Sequence, residues 1–271
     1  MPSERTKLDN NVNGSKNTRM DIVKSMSLMD FRKDELMHIG RYLNAGKTAI
    51  DLSSDLKRPL KLLDIGCGEA YTMRTLYKSF VCVKSDVVKS YLGIDIDKPM
   101  LKRTADSYHK VLEAVNGKLV TADLTQDPKL RLKSGSVDLV YWFEMIEHIK
   151  PEFVRPILEE VRRVLSDDGV VILSTPNSNG SNKAIPKDHV YEWSYEDLSE
   201  LIVSVGFDIE YAVGTCVNPS KIPKDLCDND LIKSVFNAFG RGSAMSCVAL
   251  GPLVSVEHSK NMLFKLKKGN V

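Results

Sequence analysis

Apolar positions along this chain change period near residue 57. From residue 20 to about 47, Ile22, Met26, Met29, Phe31, Leu36, Ile39 and Leu43 recur at spacings of three, four and seven. That is the period of one or two amphipathic helices ahead of the main fold. Beyond them come short apolar runs that end at turn residues. The run 60-LKLLDIG-66 reads as a buried strand feeding a glycine turn, and 70–79 as a helix. Next come 91-YLGIDI-96 as strand, 98–115 as helix, 118-KLVTAD-123 and 137-VDLVYWF-143 as strands, and 152-EFVRPILEEVRRVLS-166 as helix. Asp168-Gly169 turns into the strand 170-VVILSTP-176. Ser194 with Asp197 forms a capping pattern for a helix to Ser204, which Gly206 stops before the strand 207-FDIEYAV-213. After prolines and a helix near 230–239, the last strand is 261-NMLFKLKK-268. Its late return suits an antiparallel pairing at the sheet edge with 207–213.

Strands alternating with helices through short connections predict a doubly wound α/β fold with a mainly parallel, seven-stranded sheet and an N-terminal helical extension. Residues 1–19 read as a disordered leader and 20–57 as helices forming a lid over the cofactor or acceptor. Residues 58–271 read as the main domain, with a helical insertion at about 214–260.

Composition narrows the setting. An apolar fraction of 42% and a charged fraction of 27% are those of a soluble globular protein. A net charge of +2 neither demands nor excludes a nucleic-acid partner, since a local basic patch can coexist with a neutral total. The five cysteines Cys67, Cys82, Cys216, Cys227 and Cys247 form no CxxC pair. That speaks against a disulfide framework, a disulfide-linked partner or a cysteine zinc site, and for a reducing, cytoplasmic compartment. No apolar run reaches the roughly 18 residues of a membrane span, and the polar N-terminus lacks the apolar core of a secretory signal.

The first chemical signal is 64-DIGCGEA-70, between a strand and a helix. Gly66 and Gly68 allow a tight turn and close approach of the backbone to a ligand. Asp95 ends the next strand, where a carboxylate can accept both hydroxyls of a ribose. A dinucleotide fingerprint wants a third glycine, but that position is Tyr71, and Glu69 in the turn would repel a pyrophosphate. Asp64 suits an ammonium. The turn therefore favours a nucleoside carrying a zwitterionic amino acid, as S-adenosylmethionine is.

The ordered run LLDIGCGEA, GIDIDKPML, TADLTQD, VDLVYWFEMIEHI and LSTPN resembles the class I S-adenosylmethionine-dependent methyltransferases over roughly residues 58–213. The resemblance implies a Rossmann-like methyltransferase fold. It implies that Asp64, Gly66 and Gly68 hold the methionine part, that Asp95 binds the ribose and that Ile96 packs on the adenine. It also implies that Asp123 binds the adenine amine, with Leu124 beside it and Phe143 packing in the core or the cofactor pocket. One departure is Ala70, where family turns often carry a third glycine.

The stretch 141-YWFEMIEHIKP-151 follows the fourth strand, at the sheet edge where open α/β sheets bind ligands. If a helical turn starts at Glu144, then Glu147 and His148 share its face. His189, in 188-DHVYEW-193, follows the fifth strand. The ExxEH run, the STPN run and this histidine are similar to small-RNA 3′-terminal 2′-O-methyltransferases. The ExxEH run is similar also to the ubiquinone-pathway O-methyltransferases. Both resemblances imply a divalent metal on Glu144, Glu147, His148 and His189 that binds the accepting hydroxyl. An oxygen-rich set permits Mg²⁺, and imidazoles favour Mn²⁺, Co²⁺ or Fe²⁺. A direct polar role in the acceptor pocket and simple helix initiation remain alternatives. An RNA acceptor predicts basic residues near the pocket, with Lys183, Lys187, Lys221 and Lys224 available. A small-molecule acceptor such as a quinone predicts an apolar pocket, from Phe236, Phe239 and Met245. Tyr191 and Trp193 either stack on the acceptor or anchor the next helix.

Overall fold

The computed structural model describes residues 33–74, 86–178, 186–218, 222–241 and 243–269. The leader, and the apolar positions between Ile22 and Phe31, lie outside the described residues. A single long helix, α1 (Lys33–Leu56), leads into the sheet. The strands are β1 (Leu60–Ile65), β2 (Val88–Asp95), β3 (Gly117–Thr121), β4 (Val137–Phe143), β5 (Leu165–Pro176), β6 (Phe207–Val217) and β7 (Ser259–Lys268). Their order across the sheet is β3-β2-β1-β4-β5-β7-β6. The first five pair in parallel, and β7 is antiparallel to both neighbours.

Two expectations change here. The last strand does pair antiparallel with β6, but it also pairs along its length with β5, Val170 opposite Lys267 through Pro176 opposite Asn261. It is therefore inserted, and β6 is the edge. The expected helix over 98–115 is broken at Tyr108 into α2 (Lys98–Ser107) and α3 (His109–Ala114). The helix expected over 70–79 lies outside the described residues beyond residue 74. Elsewhere the described elements fall close to the sequence pattern. These include α4 (Pro151–Val164) and α5 (Tyr195–Ser204), the latter capped by Ser194 Oγ accepting from Asp197 N at 3.0 Å.

Alternation on the strands divides the core into two layers. Leu63, Ile65, Val140 and Trp142 face α4 and α5. Leu62, Leu139, Tyr141 and Phe143 face the other way, against Ala45, Ala49 and Leu52 of α1. Every residue of β4 is buried, as a strand covered on both faces requires. The Tyr141 hydroxyl donates to the Ala45 carbonyl at 2.9 Å, which pins α1 to the sheet. Between β6 and β7, α6 (Lys224–Cys227), α7 (Asp230–Phe239) and α8 (Ala244–Leu250) gather around a small separate cluster of Val217, Ile222, Ile232, Leu250 and Val254. No helix among the described residues is long and apolar enough to cross a membrane.

Candidate active site

The loops after β1, β2 and β4 open at the same edge of the sheet and enclose two adjoining hollows. The first, of about 430 Å³, is lined by Gly66, Asp95, Ile96, Asp123, Leu124 and Met145, among others. The second, of about 370 Å³, includes Asp64, Gly66, Phe143, Glu147, His148 and His189 in its wall. Gly66, Glu144 and His148 border both. The residues expected at the cofactor are thus gathered at one edge. The exception is Gly68, which lines neither hollow. Its N–H instead donates to Asp95 Oδ2 at 2.9 Å and fixes the carboxylate that faces the first hollow.

The turn has the backbone that the glycines predict. Gly66 and Gly68 lie at φ +67° and +53°. A Cβ on Gly66 would come within 2.7 Å of the Met145 side chain, so the position has no room for another residue. Ala70, where a third glycine was expected, is itself left-handed at φ +52°. Asp95 Oδ1 accepts from Asp97 N at 2.9 Å. Asp123 Oδ1 accepts from the Thr125 hydroxyl at 2.7 Å and from Thr125 N at 2.9 Å. These bonds hold the Asp123 carboxyl below the usual carboxylate range, and they make this residue a turn former as well as part of the hollow wall. Ile96 is 64% exposed beside the hollow, an apolar surface with no protein partner over most of its area. Asp64 is enclosed. Burial raises its pKa to about 7, against the opposing effect of the Tyr91 hydroxyl, which donates to Oδ2 at 2.8 Å.

At the far end, no helix starts at Glu144. The chain makes one tight turn over Ile146–His148, with Glu144 ahead of it in the left-handed region at φ +47°. Glu144 therefore leaves the shared face expected for it. Its Oε1 accepts from Ser174 Oγ at 2.9 Å and lies 3.2 Å from Arg41 Nη1, and its Oε2 accepts from Asn261 Nδ2 at 2.7 Å. The other three converge: one ligand atom each from Glu147, His148 and His189 lies within 4.8 Å of the others. His189 arrives because Val190 N and Tyr191 N both donate to the Glu147 carbonyl, docking its loop on the turn. The His148 and His189 rings stand edge to face with centroids 5.0 Å apart.

The partners of each ring decide which nitrogen is available. His148 Nδ1 is 2.7 Å from the Asp188 carbonyl oxygen, which can only accept, so Nδ1 carries the proton. In the neutral ring the lone pair is then on Nε2. His189 Nδ1 is 2.8 Å from Glu192 Oε1, which orients the second ring in the same way. Glu147 is buried, with Thr175 Oγ1 donating to Oε2 at 3.0 Å. Burial first, and the nearby Glu144 charge second, push its pKa up to about 8. A buried carboxyl with two oriented imidazoles is a donor set that fits a divalent cation, and a cation would relieve the raised proton affinity of Glu147.

The wall of the second hollow also contains His38, Arg41 and Tyr42 of α1, which the sequence reading did not single out. Nothing in the spacing on α1 marks them, since their importance comes from docking on distant strands. Trp193 is buried in the main core near Leu198 and so anchors α5, with Tyr191 edge-on to it. Phe236, Phe239 and Met245 line neither hollow, nor do Lys187 and Lys224. Lys183 and Lys221 lie outside the described residues.

Known proteins agree with this architecture. Residues 63–173 match a family model described as a methyltransferase domain. A Mycolicibacterium smegmatis protein named "Probable S-adenosylmethionine-dependent methyltransferase" is 30% identical over 159 residues, 56% of this chain and 54% of its own. A mouse small RNA 2′-O-methyltransferase is 27% identical over 175 residues, covering 59% of this chain and 41% of its own. The chain spans about half the length of the curated relatives it matches first. The crystal structure of the methyltransferase domain of bacterial CtHen1-C aligns with 85% of this chain and 100% of its own, at a TM-score of 0.54 and 17% identity, and so shares the fold. Sheet order, motif order and these matches agree: residues 63–173 match a methyltransferase domain, and the chain is similar to S-adenosylmethionine-dependent methyltransferases over a little more than half of its length.

Proposed function

We propose that this domain binds S-adenosylmethionine in the paired hollows and methylates a hydroxyl oxygen, with Glu147, His148 and His189 as the acceptor-side residues. The observation that carries the reading is the convergence of those three groups within 4.8 Å on a hollow that shares Gly66 and His148 with the first hollow, which Asp95 and Asp123 line. When bound, the cofactor supplies a methyl group on a sulfonium, open to in-line displacement. Asp95 and Asp123 orient the nucleoside, Asp64 takes the ammonium, and Ile96 and Phe143 give it apolar contact. His148 Nε2, held lone-pair inward by the Asp188 carbonyl, is placed to accept the hydroxyl proton. In the metal-assisted form the same three residues would instead hold a Mg²⁺ or Mn²⁺ ion, which lowers the pKa of an oxygen bound to it, and His148 Nε2 would then be a ligand and take no proton. Glu144 takes a supporting role, locked by Ser174, Asn261 and Arg41.

For the acceptor, a terminal ribose of RNA is one reading. It is supported by the mouse relative and by the ExxEH, STPN and His189 order. A small hydroxylated molecule methylated without metal is the second reading. Arg41 favours it, because it already supplies a cation at Glu144. Labelled S-adenosylmethionine offered with RNA, DNA, protein and small-molecule extracts, each with and without Mn²⁺, separates them. The expected result is label in a hydroxyl-bearing acceptor, lost in Glu147→Ala. Label on nitrogen or carbon would refute oxygen transfer, and full activity in excess chelator would refute the metal.

A further inference from the structure

Consecutive side chains of β5 leave the sheet on opposite faces. Val171 and Leu173 lie in the layer shared with α4 and α5, and Val170 and Ile172 in the layer shared with α1. By the same alternation Thr175 belongs to the first face and Ser174 to the second. Each holds one carboxyl group of the turn after β4. Thr175 Oγ1 donates to Glu147 Oε2 at 3.0 Å, and Ser174 Oγ donates to Glu144 Oε1 at 2.9 Å. The two carboxyl groups are therefore drawn apart. Glu147 stays with the imidazoles, its Oε1 4.0 Å from His148 Nε2. Glu144 stands outside the group of three whose ligand atoms lie within 4.8 Å of one another.

Arg41 shares Oε1 of Glu144, and Asn261 Nδ2 donates to Oε2 at 2.7 Å. Asn261 lies two positions before Leu263 of the α1 layer, so it faces the same side as Ser174. A carboxylate only accepts, which fixes the Nδ2 end of the amide on Glu144. The Oδ1 end accepts from Cys216 Sγ at 3.5 Å, a buried thiol of β6. Burial raises that thiol to about 11, so it remains a donor. Asn261 is thus bonded at both ends and has one orientation. Glu144 borders both hollows, so open space lies beside the carboxylate that Asn261 restrains.

We infer that Asn261 keeps Glu144 off the divalent ion and so sets the donor set at one carboxyl group and two imidazoles. The inference rests on the metal-assisted form of the reading proposed above. It departs from the set of Glu144, Glu147, His148 and His189 that the sequence resemblance implies. Asn261 is a positioning residue, which acts through Glu144 and touches no reacting atom. With Nδ2 removed, Oε2 is free to turn toward the imidazoles as a further donor.

The test is Mn²⁺ titration of the full chain without methyl donor, read from the electron paramagnetic resonance signal of the free ion. The wild type, Asn261→Leu, Glu144→Gln and the double variant are compared. An amide that only orients a ligand would weaken binding by roughly 10- to 100-fold when lost. An amide that holds a carboxylate away does the opposite. Asn261→Leu is expected to tighten Mn²⁺ binding roughly tenfold, and to leave it within about twofold in the Glu144→Gln background. Comparison within each background cancels the effect of the Glu144 charge itself. Mg²⁺, which depends on oxygen donors, should gain more than Co²⁺. Thermal melting shows whether each variant is folded, and Asn261→Ala, which adds no bulk, carries the same expectation. Weaker or unchanged Mn²⁺ binding in the Asn261 variants, or the same gain with and without the Glu144 carboxylate, would overturn the inference. Absence of Mn²⁺ binding in every protein would overturn it together with the metal reading, a result distinct from wild-type binding that Asn261→Leu weakens.

Discussion

Asp64 is buried at the end of β1, and the Tyr91 hydroxyl donates to it at 2.8 Å. Its pKa, raised to about 7 from 3.8, gives the empty protein a proton that the unfolded chain would release. Between about pH 4 and 7 the folded state therefore binds more protons, and this residue's contribution makes folding less favourable as pH rises. Binding an ammonium reverses the preference, because only the carboxylate pairs with it. Cofactor affinity is expected to rise several-fold from pH 6 to 7.5, and calorimetry at pH 6 in buffers of different ionisation heat should show proton release. Tyr91→Phe removes the hydrogen bond that favours the carboxylate, and should weaken binding further at pH 7. A flat pH profile would show that Asp64 does not meet the ammonium. Ala70 poses a second question at this scale. Its left-handed backbone costs about 1–2 kcal/mol. Replacing it by glycine forfeits a buried methyl worth about 0.8 kcal/mol and a further 0.5–1 kcal/mol of chain entropy. Ala70→Gly should thus lie within about 1 kcal/mol of wild type in urea melts, whereas Ala70→Val, branched at Cβ, should lose about 2 kcal/mol or more. The residues of the glycine turn were legible because each lies beside a strand end that the pattern marks. The partners of Glu144 were not. Ser174, Asn261 and Arg41 are 30, 117 and 103 positions away in sequence, and only the folded sheet brings them together.

At the scale of elements, β4 and the second half of β5 could be read from composition because they are covered on both faces and are apolar almost throughout, and β1 and β2 because their apolar runs end at the glycine turn and at Asp95. The position of β7 could not. Its sequence NMLFKLKK carries three lysines and resembles an edge, yet Met262, Leu263, Phe264 and Leu266 are all fully buried. The lysines manage this by reaching the margin of the sheet: Lys265 and Lys267 both pair with Glu210, and Lys268 pairs with Asp167. Long stems let such side chains cover apolar surface while the charge stays solvated. Phe264 stacks on Tyr195 with ring centres 5.8 Å apart and an interplanar angle of 12°. Phe264→Ala is accordingly expected to destabilise the protein by about 3–5 kcal/mol, the cost of a large cavity in a core strand. A loss under about 1 kcal/mol in denaturant unfolding would return β7 to the edge role that its lysines first imply. The turn at Glu144 is the other element that pattern reading misplaced. ExxEH has helical spacing, but the φ of +47° at Glu144 comes from a hydrogen-bond network formed with other strands, which local periodicity does not encode.

For the molecule as a whole, the proposed cofactor site is not contained in any one element. It joins the ends of β1, β2 and β4 to α1, and α1 in turn packs on α8 and β6. Asn44 of α1 and Tyr211 of β6 exchange hydrogen bonds at 2.8 and 3.1 Å, linking the start of the described chain to the far edge of the sheet. In the proposed reading, a ligand held by Asp64 and Asp95 against the wall that α1 helps to form bridges the first half of the sheet to this helix, so its binding free energy opposes unfolding of the whole. At a free cofactor concentration one hundred times the dissociation constant, the stabilisation is about 2.7 kcal/mol. For a domain of this size that corresponds to a rise in thermal midpoint of roughly 5–10 °C. The midpoint should climb with the logarithm of cofactor concentration, and Asp95→Ala should shift the whole curve to higher concentration. Amide exchange should slow in α1 as well as in the glycine turn, because α1 supplies part of the binding wall. Slowing confined to the turn and to the β2 edge would show that α1 stands apart from the ligand, and an unchanged midpoint at millimolar S-adenosylmethionine would remove the cofactor from this cleft altogether.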